Sequence, residues 1–146
     1  MPLTPSQLIP HSGSMCLLEK IISWDEKQVI CSTQSHQLEN NPLRSDGELN
    51  AIHVIEYGAQ AVAVHGGLLA FKQGKTIKPG YLAAVRQIKL HQSHLDSITS
   101  PLTVEATQML CNGGNLVYSF SITADNQAVA DGRVTVMIRP EPEEST

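Results

Sequence analysis

The chain has 146 residues, a common length for one domain and enough to bury a core without disulfides or metals. Its 41% hydrophobic and 16% charged residues are ordinary for a soluble globular protein and exclude a disordered, collagen-like or coiled-coil chain. Ten Lys and Arg stand against fourteen Asp and Glu, and the resulting net charge of -4 argues against a protein that coats nucleic acid.

The cysteines predict a reduced protein without a structural metal. Cys16, Cys31 and Cys111 are odd in number and show no CxxC spacing, so we expect neither a disulfide framework nor a zinc site. Cys16 and Cys31 fall in predicted strands, where a cysteine usually packs as a small hydrophobe. The N-terminus lacks a basic region followed by an apolar run, so no secretory signal is predicted and a cytoplasmic location is expected.

Two strands are predicted first, over residues 17–24 and 28–34, joined by a turn of three polar residues. A loop over 40–50 follows, punctuated by proline and an Asp-Gly pair. Asn50 is a suitable N-cap for a helix over 51–71, because its side chain can accept a hydrogen bond from a free N–H of the first turn.

The predicted helix is rich in alanine and valine and apolar on nearly all sides, which is typical of a buried helix. It also carries two histidines, a glutamate and a glutamine, so we do not expect it to insert into a membrane. Four strands follow it, over 81–90, 102–110, 116–122 and 128–138.

Short connections between the strands favour antiparallel pairing. We therefore predict an α+β domain over 1–139, with an antiparallel sheet of five to six strands wrapped round one long central helix. Residues 140–146 are predicted to be an acidic tail. The strand at 81–90 is expected to be an edge strand that a second subunit could cover.

Candidate chemistry lies on one stripe of the helix. His53, Glu56 and Gln60 are spaced i, i+3 and i+7 and share a stripe roughly 60° wide. A carboxylate on a buried helix is costly unless it is paired or functional, and a buried glutamate is a natural general acid or base. Free N–H groups at the helix start could also polarise a substrate carbonyl. The structural alternative is that Glu56 pairs with Arg44 or Arg86.

Two other groups of histidines have simpler predicted roles. His65 lies about 120° away from His53 round the helix, and we expect it to pack in the core or at an interface. His91 and His94 have no acidic or cysteine partner at metal-ligand spacing, so we expect them in a loop and predict no metal site.

Positive charge is concentrated after the helix begins. No acid occurs between Glu56 and Asp96, and this stretch holds five of the ten cations. The pattern favours an anionic partner, either the phosphates of coenzyme A or an acidic carrier protein. The alternative is a lysine-rich loop that only improves solubility. The cations are Lys72, Lys75, Lys78, Arg86 and Lys89.

Three motifs stand in order along the chain. Residues 8–11 read LIPH, residues 55–61 read IEYGAQA and residues 80–82 read GYL. This ordered set resembles the hotdog-fold 3-hydroxyacyl-[acyl carrier protein] dehydratases, and in particular the subgroup found with aryl polyene pigment clusters. The resemblance covers nearly the whole chain.

The resemblance implies a hotdog fold working as a homodimer or a heterodimer with another hotdog subunit. The reaction would remove water from a 3-hydroxyacyl thioester to give a trans-2-enoyl thioester. The substrate would be carried on the phosphopantetheine of acyl carrier protein or coenzyme A, with no other cofactor. Glu56 matches the family's acidic catalytic residue. Gln60, Asn41, Arg86, Lys75 and Lys78 are the candidate substrate contacts.

The chain departs from the family at one important position. The common dehydratases carry a catalytic histidine in a His-Phe-Pro loop fourteen residues before the acid, and here that position is Pro42. His36 and His53 are the nearest candidates to remove the α-proton. Otherwise Glu56 acts alone, or the chain is a silent subunit of a mixed dimer.

A thioesterase is the second class that the sequence leaves open. A hotdog thioesterase would use Glu56 as a general base on water or as a nucleophile and would need no histidine.

Overall fold

The computed structural model describes residues 3–9, 15–75 and 80–138, without the side chain of Tyr81. The predicted tail at 140–146 and Lys78 lie outside these residues. The helices and strands, in chain order, are α1 (Pro5–Leu8), β1 (Lys20–Trp24), β2 (Gln28–Thr33), α2 (Val54–Lys72), β3 (Gly80–Leu90), β4 (Leu102–Asn112), β5 (Asn115–Ala124) and β6 (Gln127–Ile138).

The six strands form one sheet in the order β1-β2-β4-β5-β6-β3, and every neighbouring pair is antiparallel. Helix α2 packs mainly on β4, β2 and β5. The predicted α+β hotdog architecture is therefore confirmed.

Alternating burial explains why these segments form strands. On β5 every second residue from Leu116 to Ala124 is buried, and the first half of β4 follows the same rule. Successive side chains of a strand point to opposite faces, so this pattern gives the sheet one apolar face for α2. Each large side chain on that face contributes about 1.5–3 kcal/mol of burial.

The predicted strand at 17–24 begins later than expected. The structure starts β1 at Lys20, and the buried Leu17 and Leu18 lead into it without strand pairing. The prediction that Cys16 lies in a strand is therefore wrong, because Cys16 precedes β1 and bonds through its Sγ to the Leu18 carbonyl oxygen. Cys31 is fully buried in β2, as predicted.

The central helix begins as predicted. Asn50 accepts a hydrogen bond from the Ile52 N–H at 2.9 Å, and a 3₁₀ turn over Ala51–His53 runs into α2. By length and composition the helix over Ala51–Lys72 could cross a membrane, but more than half of its apolar stretch is buried inside the protein, as in a core helix.

Glycines let two neighbours approach α2 closely. A Cβ on Gly58 would stand 2.7 Å from the Phe120 ring, and one on Gly67 would stand 2.9 Å from the Leu8 carbonyl oxygen. The glycines therefore allow β5 to pack tightly beneath the helix and α1 to lie on its other side.

His65 lies on the buried side of α2, as predicted for a packing residue. Its Nε2 donates to the Asp25 carbonyl oxygen at 2.9 Å, and its Nδ1 accepts from the Tyr118 hydroxyl at 2.6 Å. The Gln108 amide donates to the same hydroxyl at 3.3 Å. Burial lowers the pKa of His65, which fits a neutral ring with both nitrogens bonded.

Strand β3 is an edge strand of eleven residues, which confirms the predicted edge. It exposes three aliphatic side chains, Leu82, Val85 and Leu90. Its free backbone groups and apolar side chains together make a surface suited to another chain.

Candidate active site

Glu56 lies in the first turn of α2 and is half-buried. Gln60 follows one turn later and donates from Nε2 to the Glu56 Oε1 at 3.3 Å, as an i, i+4 pair should. The predicted stripe thus brings a carboxylate and an amide together at the helix start.

Gln60 also fixes the segment that precedes β1. Its Nε2 donates to the Met15 carbonyl oxygen at 2.7 Å, and its Oε1 accepts from the Leu17 N–H at 2.8 Å. The side chain is 1% exposed. The structure thus shows Gln60 in contact with this segment, and its expected contact with a substrate stays a prediction.

His53 is half-buried and ends the 3₁₀ turn, three residues before Glu56. Residues three apart at a helix start lie on neighbouring positions of one face. The structure therefore places His53 next to the helix turn that carries Glu56. The catalytic role of His53 stays a prediction.

The N–H groups at the helix start are already bonded. Ala51 N donates to the Ser93 carbonyl oxygen at 3.0 Å, and His53 N donates to the Asn50 carbonyl oxygen at 3.2 Å. Ile52 N is taken by the Asn50 side chain and Val54 N by carbonyls of the 3₁₀ turn. The expectation that these groups polarise a substrate carbonyl does not fit the structure, because none of the four is free.

His36 is fully buried in a 3₁₀ turn over Ser35–Gln37. Its Nε2 bonds the carbonyl oxygens of Ile98 and Ser100, each at 3.1 Å, so the proton stands on Nε2. Burial is the largest cause that lowers its pKa. Removal of an α-proton by His36, expected from its place in the sequence, would require this turn to open, so its burial argues against that role.

Asn41 is 6% exposed, and its amide is committed inside the protein. Its Nδ2 donates to the Ser35 carbonyl oxygen at 2.9 Å and to the Tyr57 hydroxyl at 3.2 Å, while its Oδ1 accepts from Leu43 N at 2.9 Å. Both amide hydrogens are therefore used. A substrate contact by Asn41 stays a prediction that would require one of these bonds to break.

Tyr57 joins the helix to the loop that replaces the His-Phe-Pro motif. Its hydroxyl lies 3.0 Å from the Ser35 Oγ, which donates to the Leu17 carbonyl oxygen at 2.6 Å. Burial raises the pKa of Tyr57, so the phenol stays protonated. The residue next to Glu56 is thus locked to the loop, to the end of β2 and to the chain before β1.

The alternative predicted for Glu56 was a structural ion pair with Arg44 or Arg86. Arg44 donates to the carbonyl oxygens of Gly47 and His36 at 2.8 and 3.0 Å. Arg86 is exposed on β3 and lies directly opposite Arg133 on β6. Among the described residues, neither arginine forms an ion pair with Glu56.

Lys75, one of the two predicted carrier lysines, lies far from the carboxylate on this chain. It is exposed just beyond the end of α2, and Lys72 stands sixteen positions after Glu56 on the helix, or about 24 Å along the axis. Lys72 itself binds the Glu26 carboxylate at 3.2 Å. A carrier contact by Lys75 and Lys78 stays a prediction.

His91 and His94 lie in a loop, as predicted from the sequence. Both residues lie outside the strands, and they pair with Asp131 at 2.9 Å and Glu48 at 3.4 Å, respectively. Over the described ranges, no three His, Cys, Asp or Glu residues are grouped as metal ligands.

Two contacts at the site were not predicted from the sequence. They are the anchoring of Met15 and Leu17 by Gln60, and the cluster around the Tyr57 hydroxyl. A tyrosine on the buried side of an apolar helix is a signal that its hydroxyl needs a partner. The identity of the partners has no local signal, because they lie up to 45 residues away in the sequence.

A six-stranded sheet wrapped round a helix that presents a carboxylate from its first turn defines a hotdog-fold protein with a candidate acid–base site. The chain belongs to the ApeP-like family, whose sequence model carries the description ApeP dehydratase and matches residues 3–146. A comparison with curated proteins gives no match.

Solved structures share the fold. A chain of the dehydratase heterocomplex ApeI:P from Xenorhabdus doucetiae is 20% identical, with a TM-score of 0.86 over 97% of this chain and 94% of that one. A hypothetical thioesterase with coenzyme A from Streptococcus pneumoniae TIGR4 is 16% identical, with a TM-score of 0.61 over 82% and 84%. The PaaI protein of E. coli is 18% identical, with a TM-score of 0.58 over 80% of each chain. At these identities the likeness concerns the fold alone.

Proposed function

We propose that the chain takes part in the dehydration of a 3-hydroxyacyl thioester to a trans-2-enoyl thioester, in aryl polyene or fatty-acid biosynthesis in the cytoplasm. Membership of the ApeP-like dehydratase family, over residues 3–146, carries this proposal. The placement of Glu56 at the start of a buried helix, bonded to Gln60, supports it from the structure.

Glu56 is the acid of the proposed reaction. A base removes the proton from the α-carbon, the bond from the β-carbon to the hydroxyl oxygen breaks, and Glu56 gives its proton to that oxygen, which leaves as water. Gln60 positions the carboxyl group by donating to Oε1. Of the two candidate histidines, His36 and His53, His53 is the one proposed as a base from this chain.

Five observations support a second subunit that completes the site. Pro42 stands where the loop histidine is expected, the N–H groups of 51–54 are engaged, and His36 is buried. Strand β3 offers an uncovered edge for pairing. The ApeI:P structure is described as a dehydratase heterocomplex. We therefore propose a hotdog partner that supplies the base and the donors for the thioester oxygen.

The substrate in this proposal is carried on phosphopantetheine of an acyl carrier protein or on coenzyme A, and no further cofactor is involved. The phosphopantetheine arm carries the thioester, so the chain needs only to bind it and to move protons. The acyl chain length is left open by this proposal.

Incubation with a 3-hydroxyacyl thioester on a carrier tests the proposal, with enoyl product and free thiol followed together. We expect no enoyl product from this chain alone and rapid formation once a hotdog partner with a loop histidine is added. Activity of the mixture should fall when Glu56 is changed to Gln. Full activity of that mixture would contradict the role of Glu56.

A thioesterase is the second candidate, and the missing loop histidine favours it. Glu56 acting on water needs no second residue, and a structural neighbour is described as a hypothetical thioesterase with coenzyme A. Release of free thiol by this chain alone, lost on changing Glu56 to Gln, would assign this activity in place of dehydration.

A further inference from the structure

The face of the sheet opposite α2 carries a continuous row of hydrogen-bond donors. Directly opposed residues of five strands make up this row. On β5 and β6 both neighbours along the strand are buried, and on β2 and β4 one neighbour is, so the row points away from the helix. We call these residues the donor row: Gln28, Thr107, Ser119, Arg133 and Arg86.

Two arginines lie side by side at one end of the donor row. Arg86 and Arg133 are paired across β3 and β6, and both are exposed. Like charges directly opposite each other on a sheet are unfavourable. Within the described part of the chain, neither guanidinium has a carboxylate within 4.0 Å, and the side chains of Thr107 and Ser119 make no hydrogen bond.

Acidic residues lie beside the donor row but not in it. Glu105 and Asp131 belong to the next row of the same face, two residues further along each strand, or about 7 Å away. Asp131 is held by His91 at 2.9 Å. The two arginines therefore form no ion pair with a described carboxylate, while the acids mark one border of the row.

A groove of about 630 Å³ lies over the middle of the donor row, with Thr107, Ser119 and Arg133 in its lining. The carboxylates of Glu105 and Asp131 line it as well, whereas Arg86 lies outside its lining. That volume is in the range of small-ligand sites, which is about 300–1,000 Å³. Gln87 forms part of the wall, at a β-bulge where its φ is 54°. Bulges of this kind often redirect a side chain next to a site.

We propose that the donor row binds the phosphate or diphosphate group of a small ligand. A phosphate presents only acceptors, and two adjacent guanidinium groups match it with paired N–H donors. Its negative charge would relieve the repulsion between Arg86 and Arg133, and the hydroxyls of Ser119 and Thr107 would bond the remaining oxygens. The site is independent of Glu56, because the sheet separates it from α2.

Inorganic pyrophosphate is the first probe. The unfolding midpoint of the wild-type chain should rise with the logarithm of pyrophosphate concentration, against sodium chloride at equal ionic strength. Arg133→Gln and Arg86→Gln should each raise, at least tenfold, the pyrophosphate concentration that gives the same rise in midpoint. Lys20→Gln removes one charge from the outer face of β1, outside the row, and should leave it unchanged.

A structural role for the arginines predicts a different pattern. The binding proposal predicts that, in chloride alone, Arg133→Gln unfolds no earlier than wild type, because the substitution removes a repulsion. It also predicts that Arg133→Lys keeps the charge but loses most of the pyrophosphate affinity. An equal midpoint shift from sodium chloride, or a pyrophosphate response that survives both Gln substitutions, would overturn the proposal.

Two sources of the phosphate group can be distinguished by competition. Displacement of pyrophosphate by free coenzyme A would assign the site to a soluble thioester carrier. Displacement by a holo carrier protein but not by its apo form would assign it to the phosphodiester that joins phosphopantetheine to the carrier.

Discussion

The start of α2 and the edge strand β3 are opposites in how they use their polar groups. At the helix start, Glu56, Gln60, Tyr57 and the first N–H groups are bonded within the chain. Along β3, backbone groups face outward without a neighbouring strand and three aliphatic side chains are exposed. The contrast fits the proposed function, in which the chain holds Glu56 firmly and a partner subunit completes the site.

The largest effect is expected from Glu56→Gln, which removes the proton donor but keeps the shape and an acceptor for Gln60. Dehydration by the completed assembly should fall about 10²- to 10⁴-fold, the usual contribution of a general acid. Steady-state rates on the carrier-bound substrate measure this change. An unchanged urea midpoint would show that the loss is chemical, and an unchanged rate would remove Glu56 from the mechanism.

Val85→Lys is expected to disrupt pairing of a second subunit along the edge of β3. A charge on the edge of β3 discourages strand pairing, while the residue is 36% exposed and contributes little to the core. Sedimentation should show loss of the proposed dimer with the monomer still folded. Lys27→Gln, in the exposed turn between β1 and β2, is the matched control and should leave the assembly intact.

Tyr57→Phe tests how firmly the carboxylate region is held. The substitution removes one of the bonds of the Ser35 hydroxyl and leaves one Asn41 amide hydrogen without its partner, at a cost of about 1–3 kcal/mol in the free energy of unfolding. Chemical denaturation measures it. Activity should fall as well, because the loop and the helix start lose their link. A stability like that of wild type would mean that the hydroxyl cluster does not fix the loop.

The last expected effect is a pH dependence of the free energy of unfolding, which comes from the buried histidines. Burial lowers the pKa of His36 and His65 below 6.5, so the unfolded chain binds more protons than the folded one below that pH. Stability should be flat above pH 7 and fall between pH 6.5 and 5, by at most about 1.4 kcal/mol per unit for each histidine.

Carboxylates affect stability in a separate and lower pH range, because backbone N–H groups lower the pKa of Asp25 and Asp96 below 3.8. His65→Gln should flatten the curve between pH 6.5 and 5, and His91→Gln, which alters an exposed pair, should keep it. A curve with the same slope in both variants would contradict the assignment to buried rings.

Much of the fold could be predicted from local pattern. Alternation of apolar and polar residues placed five strands within two residues of their ends, and the Asn50 cap placed the helix start. Strand β1 was predicted three residues too early, because Leu17 and Leu18 are buried by the core and not by strand pairing.

The candidate site was only partly predictable. Glu56 and Gln60 are four apart on one helix, so their contact follows from helical geometry. Asn41, His36 and Arg133 owe their surroundings to residues far away in the sequence, and no local pattern reports those. Tertiary contacts engage the amide of the expected substrate ligand Asn41 and bury the ring of the expected base His36.

The bonds from Gln60 to Met15 and Leu17 have a practical consequence for protein engineering. Deletion of the chain up to Leu17 would leave a buried amide without either backbone partner, and the same amide orients Glu56. Purification tags are therefore better fused to the C-terminus, because the segment at Met15 and Leu17 is hydrogen-bonded to Gln60, and Gln60 is hydrogen-bonded to the Glu56 carboxylate.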